Sequence, residues 1–351
     1  MRVLVIGGTG FIGRHVVRHL VHSEHEVAVF HRGSTEAALP AGVEHIHGGR
    51  ESLAADLPRF RRFRPDTVVQ MVIPSGNDQT ATAVLETFKG VASRSVVTSS
   101  RDVYRAFGRL HRLEKGPPDA APLTEESPLR GTMYPYRTLT DDPSWHDYDD
   151  LLVERIVMGE PDLPGTVVRL PVIYGPDDDR FHRTFPYLKR MDDHRPAILL
   201  DAERARWRDS RVYVEDAAWA IALAATNDRA AGRIYNVAPQ QTLSEAEWVV
   251  AVGREAGWTG SVVAVPSERL PKHMVRDLDY QNDLALSSRR IRRDLGYSER
   301  IPFEGGLRTT IEWERANEPE SLAKLFNYPA EDEVLRAVRE DRAPAGPTRP
   351  R

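Results

Sequence analysis

MRVLVIGGTGFIG, residues 1–13, is the stretch that decides the fold. Arg2 to Ile6 is a short apolar run rich in β-branched residues, as expected of a strand buried on both faces of a parallel sheet. Gly7, Gly10 and Gly13 follow at three-residue spacing, and an apolar periodicity from Phe11 to Val21 predicts a helix. A strand that turns tightly through glycines into a helix leaves unpaired N–H groups at the helix N-terminus. With the helix dipole behind them, those groups suit a pyrophosphate, and the missing Cβ atoms let it come close. Gly7, Thr9, Gly10, Phe11, Ile12 and Gly13 are therefore candidate dinucleotide-binding residues, because the strand and helix supply the context that a bare glycine triplet lacks.

Working outward, Glu26 to Phe30 predicts a second strand that runs into His31-Arg32-Gly33. At the end of such a strand an acidic residue bonds the ribose 2′-OH of NAD, whereas an arginine accommodates the 2′-phosphate of NADP. His31 occupies the acidic slot and Arg32 comes next, so NADP(H) is expected in preference to NAD(H). Further strands are expected at Val43–His47, Thr67–Ile73, Ser95–Ser99 and Thr166–Leu170. Helices are expected around Leu53–Phe63, Thr80–Ala92, Asp147–Gly159 and Ala217–Thr226. The alternation gives an α/β fold, a Rossmann-type doubly wound parallel sheet with a smaller C-terminal substrate lobe. Residues 1–174, with 212–240 returning to them, are expected to form the nucleotide-binding domain, and 175–211 with 241–325 the lobe. Residues 105–143, rich in Pro, Gly and charge, read as a long loop over the ligand edge. Residues 340–351 read as a disordered tail.

The chain has 351 residues, 40% of them hydrophobic and 28% charged, which is ordinary for a soluble globular protein. Its formal net charge of −4 gives no push toward nucleic acid or an anionic membrane. It contains no cysteine, which excludes disulfides, thiolate nucleophiles and cysteine-ligated metals. No apolar run approaches membrane-spanning length, and a core strand starting at residue 2 leaves no room for a signal peptide, so a cytoplasmic location is expected. No metal site is expected. The acidic cluster Asp147, Asp149 and Asp150 reads as a charge bias at a helix N-terminus.

The ordered stations GGTGFIG, TSSRDVY, RLPVIYGP and RVYVEDAA resemble those of the extended short-chain dehydrogenase/reductases, the superfamily of nucleotide-sugar epimerases and dehydratases. The HRG after the second strand, SSRDVYR and the DYDDLLVER helix are similar to its atypical branch, which includes relatives of the chloroplast stem-loop-binding proteins. The resemblance implies an enzyme with a small-molecule substrate and a homodimer. It implies that Ser100 bonds a substrate oxygen, that its neighbour Ser99 contacts the cofactor and that Tyr148 is the acid/base. Pro171 to Tyr174, including Ile173, would line the nicotinamide and the substrate, and Arg211 would face a substrate phosphate. Where sugar dehydratases carry Asp and Glu after the Ser/Thr, this chain has Arg101 and Asp102, so Asp102 is a candidate catalytic carboxylate and Arg101 a candidate substrate or charge-supplying residue.

One expected residue is missing. The superfamily places a lysine four residues after the tyrosine, but four past Tyr148 stands Leu152. The lysines Lys89, Lys115, Lys189, Lys272 and Lys324 have Leu85, His111, Phe185, Glu268 and Glu320 four residues before them. A tyrosine titrates near ~10 and needs a close cation to lose its proton near neutrality. Asp149 and Asp150 would push Tyr148 the other way, so it is expected to be a protonated donor. Two readings follow. One is an NADP(H)-dependent oxidoreductase, epimerase or dehydratase acting on a hydroxyl or carbonyl carbon of a sugar nucleotide or specialised metabolite. The other is a non-redox lyase, cyclase or dehydrating enzyme on the same fold, favoured by the missing lysine. An RNA-binding or regulatory protein is disfavoured by the net charge.

Overall fold

The computed structural model describes residues 1–34, 37–71 and 76–342. The chain begins with β1 (Arg2–Ile6), α1 (Phe11–His22), β2 (Glu26–His31), β3 (Glu44–His47), α2 (Leu57–Phe63), β4 (Thr67–Gln70), α3 (Asp78–Phe88) and β5 (Arg94–Ser100). It continues through α4 (Arg105–Leu110), α5 (Tyr136–Leu139), α6 (Asp150–Met158), β6 (Gly165–Leu170) and β7 (Val172–Tyr174). Then come α7 (Phe185–Asp192), β8 (Ala197–Asp201), α8 (Ala202–Arg206), β9 (Arg211–Tyr213), α9 (Val214–Thr226) and β10 (Arg233–Asn236). The last elements are α10 (Glu245–Ala256), β11 (Ser261–Val265), α11 (Arg289–Leu295), α12 (Phe303–Ala316) and α13 (Tyr328–Arg342).

Seven strands form one sheet in the order β10-β6-β5-β4-β1-β2-β3, and every pairing is parallel. The pleat of β1 explains its unbroken apolar run. Val3 and Val5 join the core beneath α1 and α9, while Leu4 and Ile6 join the opposite core built from Phe30, Phe60, Phe63 and Phe88. A strand with both faces covered has no polar side to show. α9 is alanine-rich, with Ala217, Ala218, Ala220, Ala222, Ala224 and Ala225 buried, and these short side chains let it lie close against the sheet and α1. Strand order reverses between β1 and β4, so the carboxyl ends of β1 and β4 flank the crevice where such sheets take ligands.

Beyond the sheet, β7 pairs with β9 and β8 with β11, both in parallel. α13 packs Leu335 and Val338 onto Leu199 and Val265 of the second pair. Buried Arg190 fixes its start through a two-pronged pair with Glu331, at 3.0 and 2.6 Å.

Three expectations are corrected here. Residues 340–342 are not tail but the end of α13; residues 343–351 lie outside the described residues. Residues 105–143 are not a plain loop. They contain α4 and α5, and arginine–carboxylate pairs tie them down: Arg105 and Arg109 with Asp119, and buried Arg130 with Asp149. Charge that reads as solvated in one dimension is cross-linked in three. The strand expected over Thr67–Ile73 stops at Gln70, and Val72 and Ile73 lie outside the described residues. Among the described residues no helix is long and apolar enough to cross a membrane.

Candidate active site

The glycine turn joins the carboxyl end of β1 to α1. Gly10 is the helix N-cap; no side chain caps it, and the first turn holds no acidic residue. The N–H groups of the first helical turn thus end at the crevice with the positive end of the dipole and no acidic side chain of the turn itself to compete for them. A nucleotide pyrophosphate fits this donor set. The close approach is set by Gly13, where an added Cβ would drive into the Gly7 carbonyl oxygen and stand 2.9 Å from Gly8 Cα. Both are backbone atoms that cannot swing aside. Gly13→Ala is therefore expected to cost about 1–3 kcal/mol of stability through overpacking, read by urea unfolding; a cost below a few tenths would show that the turn is looser than described.

A cluster of hydroxyls and carboxylates forms where β5 ends. Ser100 caps the turn that follows it, its Oγ accepting from the Asp102 N–H at 3.1 Å. Tyr148 and Asp150 come from the start of α6. Asp149 is its N-cap, accepting from the Leu151 N–H at 3.0 Å while Arg130 holds its carboxylate. Tyr148 donates to Asp150 Oδ2 at 2.6 Å. Tyr136 donates to Asp102, and its ring lies 5.5 Å from that of Tyr148, with Trp145 packed against both. Asp150 is 1% exposed, and its Oδ1 has no hydrogen-bond partner among the described residues.

Burial dominates the electrostatics. It pushes the Asp150 carboxyl up, to about 7, against the opposing pull of the Ser100 and Tyr148 hydroxyls, and nearby Asp102 and Glu154 add to the rise. Burial, then Asp150, Tyr136 and Asp102, hold the Tyr148 phenol well above its ordinary value. Tyr136 is raised by burial and then by Asp102, with Arg101 opposing. Tyr148 is thus a proton donor next to a carboxyl that gains and loses its own proton near neutrality. No arginine takes the lysine's place beside it among the described residues: Arg137 lies over Tyr134 and pairs with Asp147.

The structure brings together Ser100, Asp102 and Tyr148 and adds Asp150 and Tyr136, which the sequence reading did not single out as site residues. Arg101 is beside them but is gripped by Asp209 at 2.8 and 3.1 Å and by Asp102 at 3.2 Å, so its charge is already paired. Ser99 is corrected. Successive strand residues face opposite ways, and its hydroxyl donates to buried Glu154 at 2.5 Å. Tyr174 is corrected too, being core against Trp248 and Tyr213 at 4.9 and 5.6 Å, and Ile173 lies in the same core. Pro171 precedes β7 and is likewise buried. Arg211, expected to face a phosphate, is paired with Glu245 and lies over the Trp248 ring. Burial would raise the Glu245 carboxyl, but Arg211 and Arg204 overcome it and hold it at about 2. His31 ends β2 in a buried position, and Arg32 after it is exposed.

The family profile described as "NAD dependent epimerase/dehydratase family" matches residues 3–111 and 148–238. The chain is 30% identical to 2'-dehydrokanamycin reductase of Streptomyces kanamyceticus over 274 residues, 76% of this chain and 70% of that protein. It is 25% identical to dTDP-glucose 4,6-dehydratase 1 of Escherichia coli strain K12 over 354 residues, 90% of this chain and 93% of that one. Among solved structures, the UDP-glucose 4-epimerase of Thermus thermophilus in complex with NAD superposes with a TM-score of 0.63 at 23% identity, covering 90% of this chain and 99% of that chain. The profile spans the glycine turn, the end of β5 and the start of α6, and with the first relative it establishes that this chain is an enzyme of the NAD-dependent epimerase/dehydratase family.

Proposed function

We propose that this protein is an NADP(H)-dependent enzyme that reduces, oxidises or epimerises a hydroxyl- or carbonyl-bearing carbon of a sugar nucleotide or sugar-like specialised metabolite. The observation that carries the reading is the convergence of Ser100, Tyr148 and Asp150 at the carboxyl end of β5. When bound, the nicotinamide supplies the hydride donor or acceptor. Residues of the glycine turn, Gly7 to Gly13, would hold its pyrophosphate, and Arg32 its 2′-phosphate. Ser100 would hold the substrate oxygen. Tyr148 would donate a proton to it, and Asp150 would return one to Tyr148, its value near 7 matching the operating pH as general acid–base catalysis favours. Tyr136 and Trp145 come from residues 112–147, outside the family match, so the aromatic wall is where this chain's own substrate choice would reside. Residues 175–211 and 241–325 would supply the rest of the substrate lobe.

Titration with NADPH and NADH tests the cofactor half. NADPH is expected to bind about 10–100-fold tighter, the worth of charge-assisted hydrogen bonds from one arginine, and Arg32→Ala is expected to erase the difference. Equal affinities in the unaltered protein would overturn the assignment of Arg32. A second reading rests on Asp150 itself: a carboxyl rather than a cation beside the tyrosine suits proton transfer without hydride transfer, as in a lyase or dehydrating enzyme. Turnover that survives removal of the nucleotide would favour it over the first. Substrate-dependent oxidation of NADPH would favour the first.

A further inference from the structure

We infer that His31, His45 and His47 form a binding site for a divalent transition metal of the zinc class, on the sheet edge away from the hydroxyl–carboxylate cluster. The site adjoins Arg32, to which the cofactor reading gives the 2′-phosphate, but it rests on the geometry of the three imidazoles alone. Strand geometry assembles the site. His45-Ile46-His47 on β3 alternates, so the two imidazoles share one face while Ile46 enters the core on the other. The parallel register pairs His31 with His47, which puts the third imidazole on the same face of the neighbouring strand.

The rings converge accordingly. His31 Nε2 and His45 Nδ1 are 2.9 Å apart, His31 and His47 have centroids 4.6 Å apart, and one nitrogen from each of the three lies within 4.8 Å of the others. A tetrahedral zinc with bonds of ~2.0–2.1 Å places its nitrogen ligands about 3.4 Å apart, so modest ring rotations close the set. His47 has room to move on one side because residue 33 is glycine: an added Cβ there would stand 3.2 Å from His47 Cδ2, and its φ of +79° suits glycine.

Burial grades outward from buried His31 through half-buried His45 to exposed His47. That gradient gives the ion an entry path and leaves a fourth position for water. Three imidazoles with an open position suit Zn²⁺, Cu²⁺, Ni²⁺ or Co²⁺ rather than Mg²⁺ or Ca²⁺, which prefer oxygen. Bound there, the ion would cross-link β2 to β3, the outermost strand of the sheet.

The test uses the full chain, stripped with a chelator and free of nucleotide. It is titrated with Co²⁺ while the visible absorbance of nitrogen-coordinated cobalt is followed, then back-titrated with Zn²⁺. The chain has no cysteine to contribute a competing thiolate signal. One Co²⁺ per chain is expected, displaced by Zn²⁺, with the same result in His22→Ala, which removes an exposed histidine elsewhere. The double variant His45→Ala/His47→Ala is expected to bind at least about 100-fold more weakly, since even the outer partners of metal ligands are worth 10–100-fold. Both positions lie on the accessible side of the cluster, and circular dichroism verifies that the variant is folded. The proposal is overturned if the unaltered protein takes up no stoichiometric Co²⁺, or if the folded double variant binds as the parent does.

Discussion

Arg169→Met, with Glu154 left in place, is expected to lower the free energy of unfolding by about 3–5 kcal/mol, the cost of stranding one member of a buried ion pair. Arg169 is 1% exposed and grips Glu154 with Nε at 2.8 Å and Nη2 at 2.6 Å. Its Nη1 reaches the Tyr104 hydroxyl at 3.0 Å, which in turn donates to Asn236 at 2.7 Å. Ser99 completes the set by donating to Glu154. The network thus ties β5, α6, β6 and β10 together directly behind the catalytic candidates. Removing only the arginine leaves a carboxylate with one hydroxyl for company. The double variant Arg169→Met/Glu154→Met removes both charges and is expected to recover most of the loss. Urea unfolding of the three proteins decides the matter: a single variant within about 1 kcal/mol of the parent would mean that the pair does not hold the strands.

Asp150→Asn is expected to make the protein more stable at pH 8 than its parent, with the advantage vanishing in acid. The folded carboxyl takes a proton at about 7, whereas the unfolded one does so near 3.8. A protonated Asp150 therefore contributes stability that is fully present below pH ~3.8, fades as the pH climbs toward 7, and is gone above it. About three pH units at ~1.4 kcal/mol each give a swing of roughly 4 kcal/mol across that window. Asparagine, which never ionises, does not show it. The same substitution is expected to lower kcat/KM by about 10²–10⁴-fold if the carboxyl moves the proton. Thermal melts of both proteins from pH 4 to 8 test the first claim: parallel curves would mean that Asp150 titrates like an exposed carboxylate.

The first thirteen residues carried the fold because everything they depend on is local: a strand, a turn and a helix in sequence. The same holds for Ser100, which caps the turn at the end of its own strand. Asp150 was legible as a charge that raises Tyr148 but not as that residue's hydrogen-bond partner, for a geometric reason. A partner four residues on would face a tyrosine inside a helix, but Tyr148 precedes the helix and its hydroxyl bonds a residue only two ahead. Tyr136 gave no signal because its stretch has no periodicity, and its place is set by Asp102, 34 residues earlier. Arg101 and Arg211 looked free because their partners Asp209 and Glu245 are 108 and 34 residues away. Motif position located the neighbourhood of each arginine but not which carboxylate would claim it.

β10 has a bearing on how the chain is made. A nascent polypeptide that has emerged from the ribosome as far as Ser210 has six strands of the main sheet but neither α9 nor β10. β6, buried throughout in the finished protein, is then an open edge with unsatisfied backbone groups. The valine face of β1 and α1 is likewise missing the alanine helix that covers it. Synthesis therefore passes through an interval in which a nearly complete sheet is sticky along one side and bare on one face. It ends only when residues 214–236 arrive and close both at once. Such long-range closure slows folding and exposes the intermediate to aggregation, which makes the interval, rather than the finished protein, the stage at which a chaperone has something to hold.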